Sequence, residues 1–318
     1  MDAVLLTASQ NDICQLTPLQ SAILKTLFYF DIFHYPLTTE ELEKCCLSEN
    51  PVKTEFKAAL NYLVEKKYIG QKNGYYMASP DENILLQRLE GNKRAEQMMK
   101  KSFFYSKLIS RFPFVEAVFI SGSLAKGCVD KKGDVDYFVI ARPGRLWVCR
   151  TLLMLFKKIF LFNSRKYFCI NYFIDSDHLT IPDQNLFTAT EIAFLKPVYN
   201  PAVCKRFLEQ NKWVRVYYPS MPDPDTAEII QVNRSFFRMF FEWILKGQAG
   251  ERWDIRFLRI SLNRWKRKFS HIAPVPFELN FRSNRSTSKH HPSGFQNKVL
   301  DQYEMKLCEF MQRHQVSL

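Results

Sequence analysis

The chain contains two aspartates, Asp134 and Asp136, that alternate with apolar residues at the start of a segment typical of a β-strand. On an extended strand, side chains two residues apart point to the same face of the sheet. Two carboxylates that converge in this way offer the hard oxygen ligands that Mg²⁺ prefers, and Mg²⁺ usually shares such ligands with the phosphates of a substrate. The spacing therefore predicts that Asp134 and Asp136 bind a divalent metal ion, Mg²⁺ or Mn²⁺.

A Gly-Ser pair, Gly122-Ser123, ends the apolar run that precedes these aspartates. Glycine lets a ligand approach the main chain closely, and the backbone N–H groups and hydroxyl of such a turn suit a phosphate. We therefore predict that Gly122 and Ser123 contact a phosphate group. Lys126 follows the turn, and it either adds positive charge beside that phosphate or faces solvent.

The order of these features resembles the DNA polymerase β-like nucleotidyltransferase superfamily. The signature of that superfamily is an apolar strand, a Gly-Ser or Gly-Gly pair, a spacer, and then two acids separated by an apolar residue. Gly122-Ser123, the spacer 124–133 and the pair Asp134 and Asp136 follow the same order. The alternative interpretation is a β-hairpin with a polar turn and two aspartates that face solvent.

The resemblance implies an activity and roles for these residues. Asp134 and Asp136 would hold the metal, while Gly122 and Ser123 would contact the β- and γ-phosphates of a nucleoside triphosphate. The reaction would move a nucleoside monophosphate to an acceptor and release pyrophosphate, with catalysis by positioning and charge neutralisation. A small molecule, a protein hydroxyl and an RNA end are all open as acceptors.

The third acid of the superfamily is where this sequence departs from the pattern. The residue between Ile170 and Tyr172, on the strand where the family has Asp or Glu, is Asn171. Asparagine can offer a carbonyl oxygen to a metal but cannot act as a base. Asp175 lies four residues further on, on the same face of a regular strand. It either completes the site or forms an ordinary turn at the strand end.

The hydrophobic periodicity predicts an α+β protein with a mixed β-sheet core, flanking helices and three domains. Residues 1–80 contain three helical patterns followed by a hairpin at Asn73-Gly74, an arrangement that resembles a winged helix. Residues 81–186 contain a long leading helix and then the strand, strand, helix and strand order of a nucleotidyltransferase core. Residues 187–318 are predicted to form a helical C-terminal domain.

A winged helix would contact DNA through the helix predicted over residues 52–67. Its outward positions include Lys53 and Lys57 but also Glu55 and Glu65. Such a mixed face favours protein contact or a scaffold role over DNA binding.

The whole-chain composition indicates partners and location. A net charge of +13 favours an anionic partner, namely a nucleotide, a nucleic acid or an acidic membrane surface. The eight cysteines have neither zinc-ligand spacing nor a disulfide framework, so reduced thiols in the cytoplasm are expected. No signal-peptide pattern is seen, and the apolar segments 151–162 and 236–245 are too short to span a bilayer. The sequence thus predicts a cytoplasmic protein without a transmembrane segment.

Two functional hypotheses follow. The first is a metal-dependent nucleotidyltransferase that uses a nucleoside triphosphate and a hydroxyl or phosphate acceptor. The second is a catalytically weak nucleotide-binding or DNA-associated regulatory protein. Asn171 favours the second hypothesis, and the Asp134 and Asp136 pair favours the first.

Overall fold

The structure, a computed structural model, is an α+β protein that divides into two compact units. One unit comprises Met1–Asp81 and Asp301–Leu318, and the other comprises Glu82–Leu300. The residues that the structure describes are 14–48, 52–224, 229, 235–273, 277–278, 280–289 and 294–318.

The first unit combines short helices with a small antiparallel sheet. Its elements along the chain are β1 (Cys14–Gln15), α1 (Pro18–Asp31), β2 (Leu37–Thr38), α2 (Thr39–Cys45), α3 (Lys53–Glu65), β3 (Gly70–Lys72) and β4 (Tyr75–Met77), and its three-stranded sheet has the order β2-β4-β3. Thr38 caps α2 in a capping box with Glu41, which satisfies backbone N–H groups at the helix start. The predicted hairpin is confirmed, because Asn73 and Gly74 both have positive φ between two paired strands.

The second unit is built on a five-stranded mixed sheet. Its elements are α4 (Glu82–Ser110), β5 (Val115–Ser121), α5 (Gly122–Ala125), β6 (Asp136–Ala141), α6 (Leu146–Phe160), β7 (Cys169–Asp175), α7 (Leu186–Ala193), β8 (Lys196–Tyr199), α8 (Pro201–Gln210), a 3₁₀ helix (Lys212–Val216), α9 (Phe236–Ile244), α10 (Gly247–Lys268) and β9 (Thr287–Lys289). The strand order is β8-β5-β6-β7-β9. Strands β6 and β7 are parallel and are joined through α6, as a parallel pair requires, and the other pairs are antiparallel.

Both faces of the five-stranded sheet are covered. Val139 and Phe173 belong to the same buried core cluster as Trp147 of α6. On the opposite face, Phe138 lies against Phe207 of α8, with ring centroids 5.1 Å apart. The central strands are therefore apolar at nearly every position, and a polar side chain can reach a ligand only where a strand begins or ends.

The last helix, α11 (Phe295–His314), and strand β10 (Val316–Ser317) bring the chain back to the first unit. Phe310 of α11 packs on Phe28 of α1 with ring centroids 5.0 Å apart, and Lys306 lies 2.6 Å from Asp31. Strand β10 pairs with β1. The sequence-based division assigned these residues to a C-terminal domain 187–318, whereas Asp301–Leu318 belong to the first compact unit. A local pattern cannot show which unit a helix packs on.

Within the described ranges, no helix has both the length and the apolar character needed to cross a lipid bilayer.

Candidate metal centre

The Gly122 main chain lies directly against the Asp136 carboxylate. Strand β5 ends at Ser121, and Gly122 begins the single turn of helix α5 with φ +67°. A Cβ atom at this position would lie 2.6 Å from Asp136 Oδ2. Only glycine fits this close approach without strain, so the turn at Gly122 and the start of β6 lie directly against each other. Ser123, on the same turn, is exposed.

The two predicted metal ligands and a cysteine form one cluster. Asp134 lies two residues before Asp136, which is the first residue of β6. One ligand atom from each of Asp134, Asp136 and Cys169 lies within 4.8 Å of the others. Cys169 arrives there because it pairs with Asp136 in the parallel ladder of β6 and β7. The cluster can hold one metal ion.

Asn171 is a direct neighbour of this cluster. Its Nδ2 donates a hydrogen bond of 2.8 Å to Asp136 Oδ1, and its Oδ1 accepts from Cys169 Sγ at 3.4 Å. The amide therefore stands beside the metal-ligand pair, where a carboxylate would be expected from the superfamily resemblance. It orients the Asp136 carboxylate but adds no negative charge.

Strand β7 contains a β-bulge at Asn171. The ladder pairs Tyr137 with Ile170 but Phe138 with Tyr172, so Asn171 is one extra residue in β7. Because side chains alternate between faces, one extra residue moves every later side chain of the strand to the other face.

Asp175 lies away from the cluster, and this corrects the prediction that it supplies the third carboxylate. It pairs with Ala141, at the other end of the same ladder in which Asp136 pairs with Cys169. Asp136 and Ala141 lie five residues apart on β6, so they point to opposite faces and are separated by about 16 Å. The same-face argument assumed a regular strand, and the bulge removes that regularity.

Asp175 instead forms the strand-end turn that was the other interpretation. Its Oδ1 accepts the backbone N–H groups of Asp177 and His178, at 3.1 and 3.0 Å, and lies 2.7 Å from His178 Nδ1.

Lys126 is paired with an acid of a neighbouring helix. Its Nζ lies 2.6 Å from Glu191 Oε1 of α7, and its side chain is only 14% exposed. The prediction that it simply faces solvent is therefore wrong. Its positive charge is partly offset by Glu191, but it still favours the ionised form of Asp136.

The surroundings of Asp136, which include the negatively charged Asp134, disfavour the ionised form of its carboxyl group. Burial, followed by the negative charge of Asp134, raises the pKa of Asp136 from 3.8 to about 7. Glu191 acts in the same direction, whereas a hydrogen bond with Cys169 and the charge of Lys126 oppose the rise. A cation at this position would remove the repulsion between the two carboxylates.

Sequence reasoning missed Cys169 of this cluster and also Lys157, a buried cation that senses the charges of the cluster. Lys157 of α6 is buried; burial lowers its pKa, and the charges of Asp134 and Asp136 act to raise it. Pairing of β6 with β7 brings Cys169 to the cluster, and α6, which joins these two strands, carries Lys157. Each of the two residues lies in an apolar segment without a motif of its own. No signal in the sequence would have found them.

The donor atoms fit a hard divalent cation. Burial, followed by the charges of Asp136 and Asp134, raises the pKa of Cys169, so its thiol stays protonated and neutral. The anionic donors are then the two carboxylates, which suit Mg²⁺ or Mn²⁺ completed by water and substrate phosphates. Because Asn171 carries an amide and not a third carboxylate, the cluster provides two carboxylates for one ion.

We expect the affinity for Mn²⁺ to fall by about tenfold between about pH 8 and about pH 6, because Asp136 must lose its proton before it binds the metal. Mn²⁺ without nucleotide, titrated by electron paramagnetic resonance, measures this dependence. Asp136→Asn has no proton to lose and is the matched control: its residual affinity should not show that slope. A wild-type affinity that is constant across this range would contradict the assignment of Asp136.

Comparison of the chain with protein-family models, with curated proteins and with solved structures gives no match in any of the three. The functional argument therefore depends on the residues of the site.

Proposed function

We propose that this chain is a metal-dependent nucleotidyltransferase of the polymerase β-like type. It moves a nucleoside monophosphate from a nucleoside triphosphate to a hydroxyl or phosphate acceptor and releases pyrophosphate. The observation that supports this most is the approach of the Gly122 main chain to Asp136, with Asp134 beside it. In this proposal the turn at Gly122 serves the phosphates and the two carboxylates serve the metal ion, and the short distance between them supports a shared metal–triphosphate site.

Each residue has a role in this proposal. Asp134 and Asp136 hold Mg²⁺ or Mn²⁺, and the turn at Gly122 and Ser123 faces the β- and γ-phosphates. The cation, when bound, neutralises the charge of the transferring phosphoryl group. The N–H group of Asn171 keeps the Asp136 carboxylate oriented toward the site.

The chemical step consists of one substitution at the α-phosphorus. The acceptor oxygen forms a bond to this atom, and the bond to the bridging oxygen of the β-phosphate breaks, so pyrophosphate leaves. Asn171 cannot accept a proton. The proton of an acceptor hydroxyl therefore passes to water or to the triphosphate, and we expect slow turnover for this reason.

We also propose an identity for each of the two compact units. The order of strand, strand, helix and strand in the second unit supports a nucleotidyltransferase core, and the helices and hairpin of the first unit support a winged helix. Lys53, Lys57 and Glu55 are all exposed on α3. This mixed face favours contact with a protein over contact with DNA.

The test is incubation with each common ribonucleoside triphosphate labelled at the α-phosphate, together with cell extract, and measurement of label transfer and pyrophosphate. Transfer by the wild type that Asp134→Asn abolishes would support the proposal. Asp175→Asn is the matched control, because it makes the same chemical change at the far end of β7. Pyrophosphate release that survives Asp134→Asn would refute the assigned mechanism.

A second function, nucleotide binding without turnover, is favoured by the Asn171 amide. A regulator of this kind would bind a metal–triphosphate complex at the same residues and pass the signal to a partner of the winged helix. Triphosphate binding that requires Mg²⁺, without transfer to any acceptor in the extract, would favour this function over the first.

Replacing Asn171 by Asp should raise turnover roughly 100-fold, the lower end of what a positioned base contributes. The new carboxylate would stand beside Asp136 and could accept the proton of the acceptor. The measurement is the rate of pyrophosphate release at saturating Mg²⁺. Asn171→Ala removes the amide without adding a base and should not raise the rate.

A gain with Asn171→Ala equal to that with Asn171→Asp would contradict the role of a base. A loss with both variants would show that the Asn171 amide itself is needed for turnover, and it would also contradict the benefit expected from a base at this position.

A further inference from the structure

Helix α9 directs its polar side toward the protein and its apolar side toward solvent, which is the reverse of an ordinary surface helix. Its polar residues Arg238 and Glu242 face the protein, with side chains 8% and 13% exposed and a 2.9 Å ion pair between them. Phe236, Phe240 and Trp243 point outward, and Phe236 is 80% exposed. An amphipathic surface helix normally buries its apolar side.

The contacts of the inward pair fix this orientation. Arg238 donates hydrogen bonds to the Ser110 carbonyl, at 3.1 Å, and to the Tyr199 hydroxyl, at 3.2 Å. Glu242 accepts the backbone N–H of Phe114 at 3.0 Å. Rotation of α9 to bury its aromatic side would break all of these hydrogen bonds and leave buried polar groups without partners.

A chain of aromatic rings connects α9 to the end of α6 through the buried Phe112. Phe112 bridges the two helices, with ring centroids 5.6 Å from Phe237 and 5.2 Å from Phe156, and Phe156 stacks on Phe160 at 5.0 Å. Just beyond α6, Phe162 is 91% exposed. We call this region the apolar surface, and its outermost members are Leu155, Phe160, Phe162, Phe236, Phe240 and Trp243.

Basic residues border the apolar surface at the end of α6. The sequence has no acid between Asp136 and Asp175, and Lys158, Arg165 and Lys166 are exposed beside Phe160 and Phe162.

A second acid-free segment adjoins the first. It lies between Glu96 and Glu116 and contains four basic residues. Lys101 of this segment contacts Tyr167, at 3.3 Å, and thereby joins α4 to the loop after α6. The one acid of α9, Glu242, is paired with Arg238 and directed inward.

We propose that the apolar surface binds to an anionic lipid bilayer, with its aromatic side chains in the interfacial region and its lysines and arginines at the headgroups. Exposed apolar residues bordered by basic ones are the features of a helix that lies on a membrane. Aliphatic members such as Leu155 favour lipid over nucleic acid, since single-stranded bases require planar stacking partners. A second copy of this chain is disfavoured, because its basic border would face an identical basic border.

The test is sedimentation of the full chain with phosphatidylcholine vesicles that contain or lack phosphatidylglycerol, at low and high salt. We expect binding to the anionic vesicles that salt weakens. The double variant Phe160→Ser and Phe162→Ser should lower the partition coefficient about 100-fold, because each ring no longer enters the interface. Trp243 emission should shift to shorter wavelength on binding, and Trp243→Phe should remove that shift.

Val216→Ser is the matched control. Val216 is 82% exposed, but it ends the 3₁₀ helix after α8, which packs on the opposite face of the sheet. This variant should bind vesicles as the wild type does. Circular dichroism should show that the phenylalanine variant is folded; if it is not, Lys158→Gln with Lys166→Gln should still weaken binding to the anionic vesicles.

Absence of vesicle binding by the wild type at low salt would overturn the proposal. An equal loss of vesicle binding in Val216→Ser and in the phenylalanine variant would also overturn it. Self-association that requires Phe160 and Phe162, without vesicle binding, would assign the surface to a second copy. Single-stranded RNA binding at these residues, without vesicle binding, would assign it to nucleic acid.

Discussion

Asp136→Asn should abolish metal-dependent nucleotidyl transfer and, at the same time, make the metal-free protein more stable at about pH 8. The loss of activity is expected to be roughly 1000-fold or more, because a metal ligand contributes several kcal/mol to the transition state. The gain in stability has a separate cause. The carboxylate of Asp136 is buried beside Asp134. Above its pKa of about 7 it carries a charge that is poorly solvated and is repelled by Asp134.

The sign of this stability effect follows from the raised pKa. In the folded chain, Asp136 keeps its proton to about pH 7, whereas its ordinary pKa is 3.8. The folded state therefore binds more protons than the unfolded state between these values, and the free energy of unfolding falls as the pH rises through them. Asparagine is neutral throughout and removes that loss.

Thermal unfolding without metal and pyrophosphate release with metal measure the two effects on one preparation. Asp175→Asn is the matched control, and we expect it to leave pyrophosphate release unchanged. Full activity in Asp136→Asn would contradict the metal site. Lower stability of Asp136→Asn at about pH 8 would contradict the electrostatic account.

Gly122→Ala should destabilise the protein by about 2–6 kcal/mol and weaken triphosphate binding, since strain and overpacking each contribute about 1–3 kcal/mol. The new methyl group would lie 2.6 Å from Asp136 Oδ2, and φ of +67° is unfavourable for alanine. Relief of the clash would require movement of the turn or of the metal ligand. Urea unfolding and calorimetric titration with a metal–triphosphate complex measure the two effects.

Gly127→Ala separates the clash from backbone strain. Gly127 has φ +74°, but no atom lies within 4 Å of the position that a Cβ would take. Its substitution should cost only about 1 kcal/mol and leave binding unchanged. If both alanine variants had the same effects, the contact between Gly122 and Asp136 would have no special role.

Much of the site could be predicted because its information is local. Glycine at a turn and alternating acids on a strand have physical meanings that do not depend on distant residues. Gly122, Asp134 and Asp136 lie together in the structure for these reasons. The hairpin at Asn73-Gly74 could be predicted in the same way, since two residues with positive φ define its turn.

The placement of Asp175 could not be predicted, because it depends on one extra residue in a strand pair. A bulge has no clear signature in this apolar segment, yet it reverses the face of every residue that follows. Cys169 and Lys157 were missed for a related reason: strand pairing brings Cys169 to the cluster, and the charges of Asp134 and Asp136 act on Lys157 from a separate element.

The orientation of α9 is a further feature that the sequence could not show. Its composition predicts a helix with an apolar side, and such a side is ordinarily buried. Arg238 donates to the Ser110 carbonyl and Glu242 accepts the backbone N–H of Phe114, and these hydrogen bonds keep the apolar side of α9 exposed. Polar tertiary contacts, and not helix periodicity, therefore determine which side of this helix faces out.

The central claim is that Asp134 and Asp136 hold a divalent cation together with a nucleoside triphosphate. Electron paramagnetic resonance of Mn²⁺, titrated with and without a triphosphate analogue that cannot be cleaved at its α-phosphate, tests it most directly. We predict one Mn²⁺ bound per chain, more tightly with the analogue than without it, and loss of this binding in Asp134→Asn. Mn²⁺ binding that is absent, or that is the same in the wild type and in Asp134→Asn, would contradict the claim.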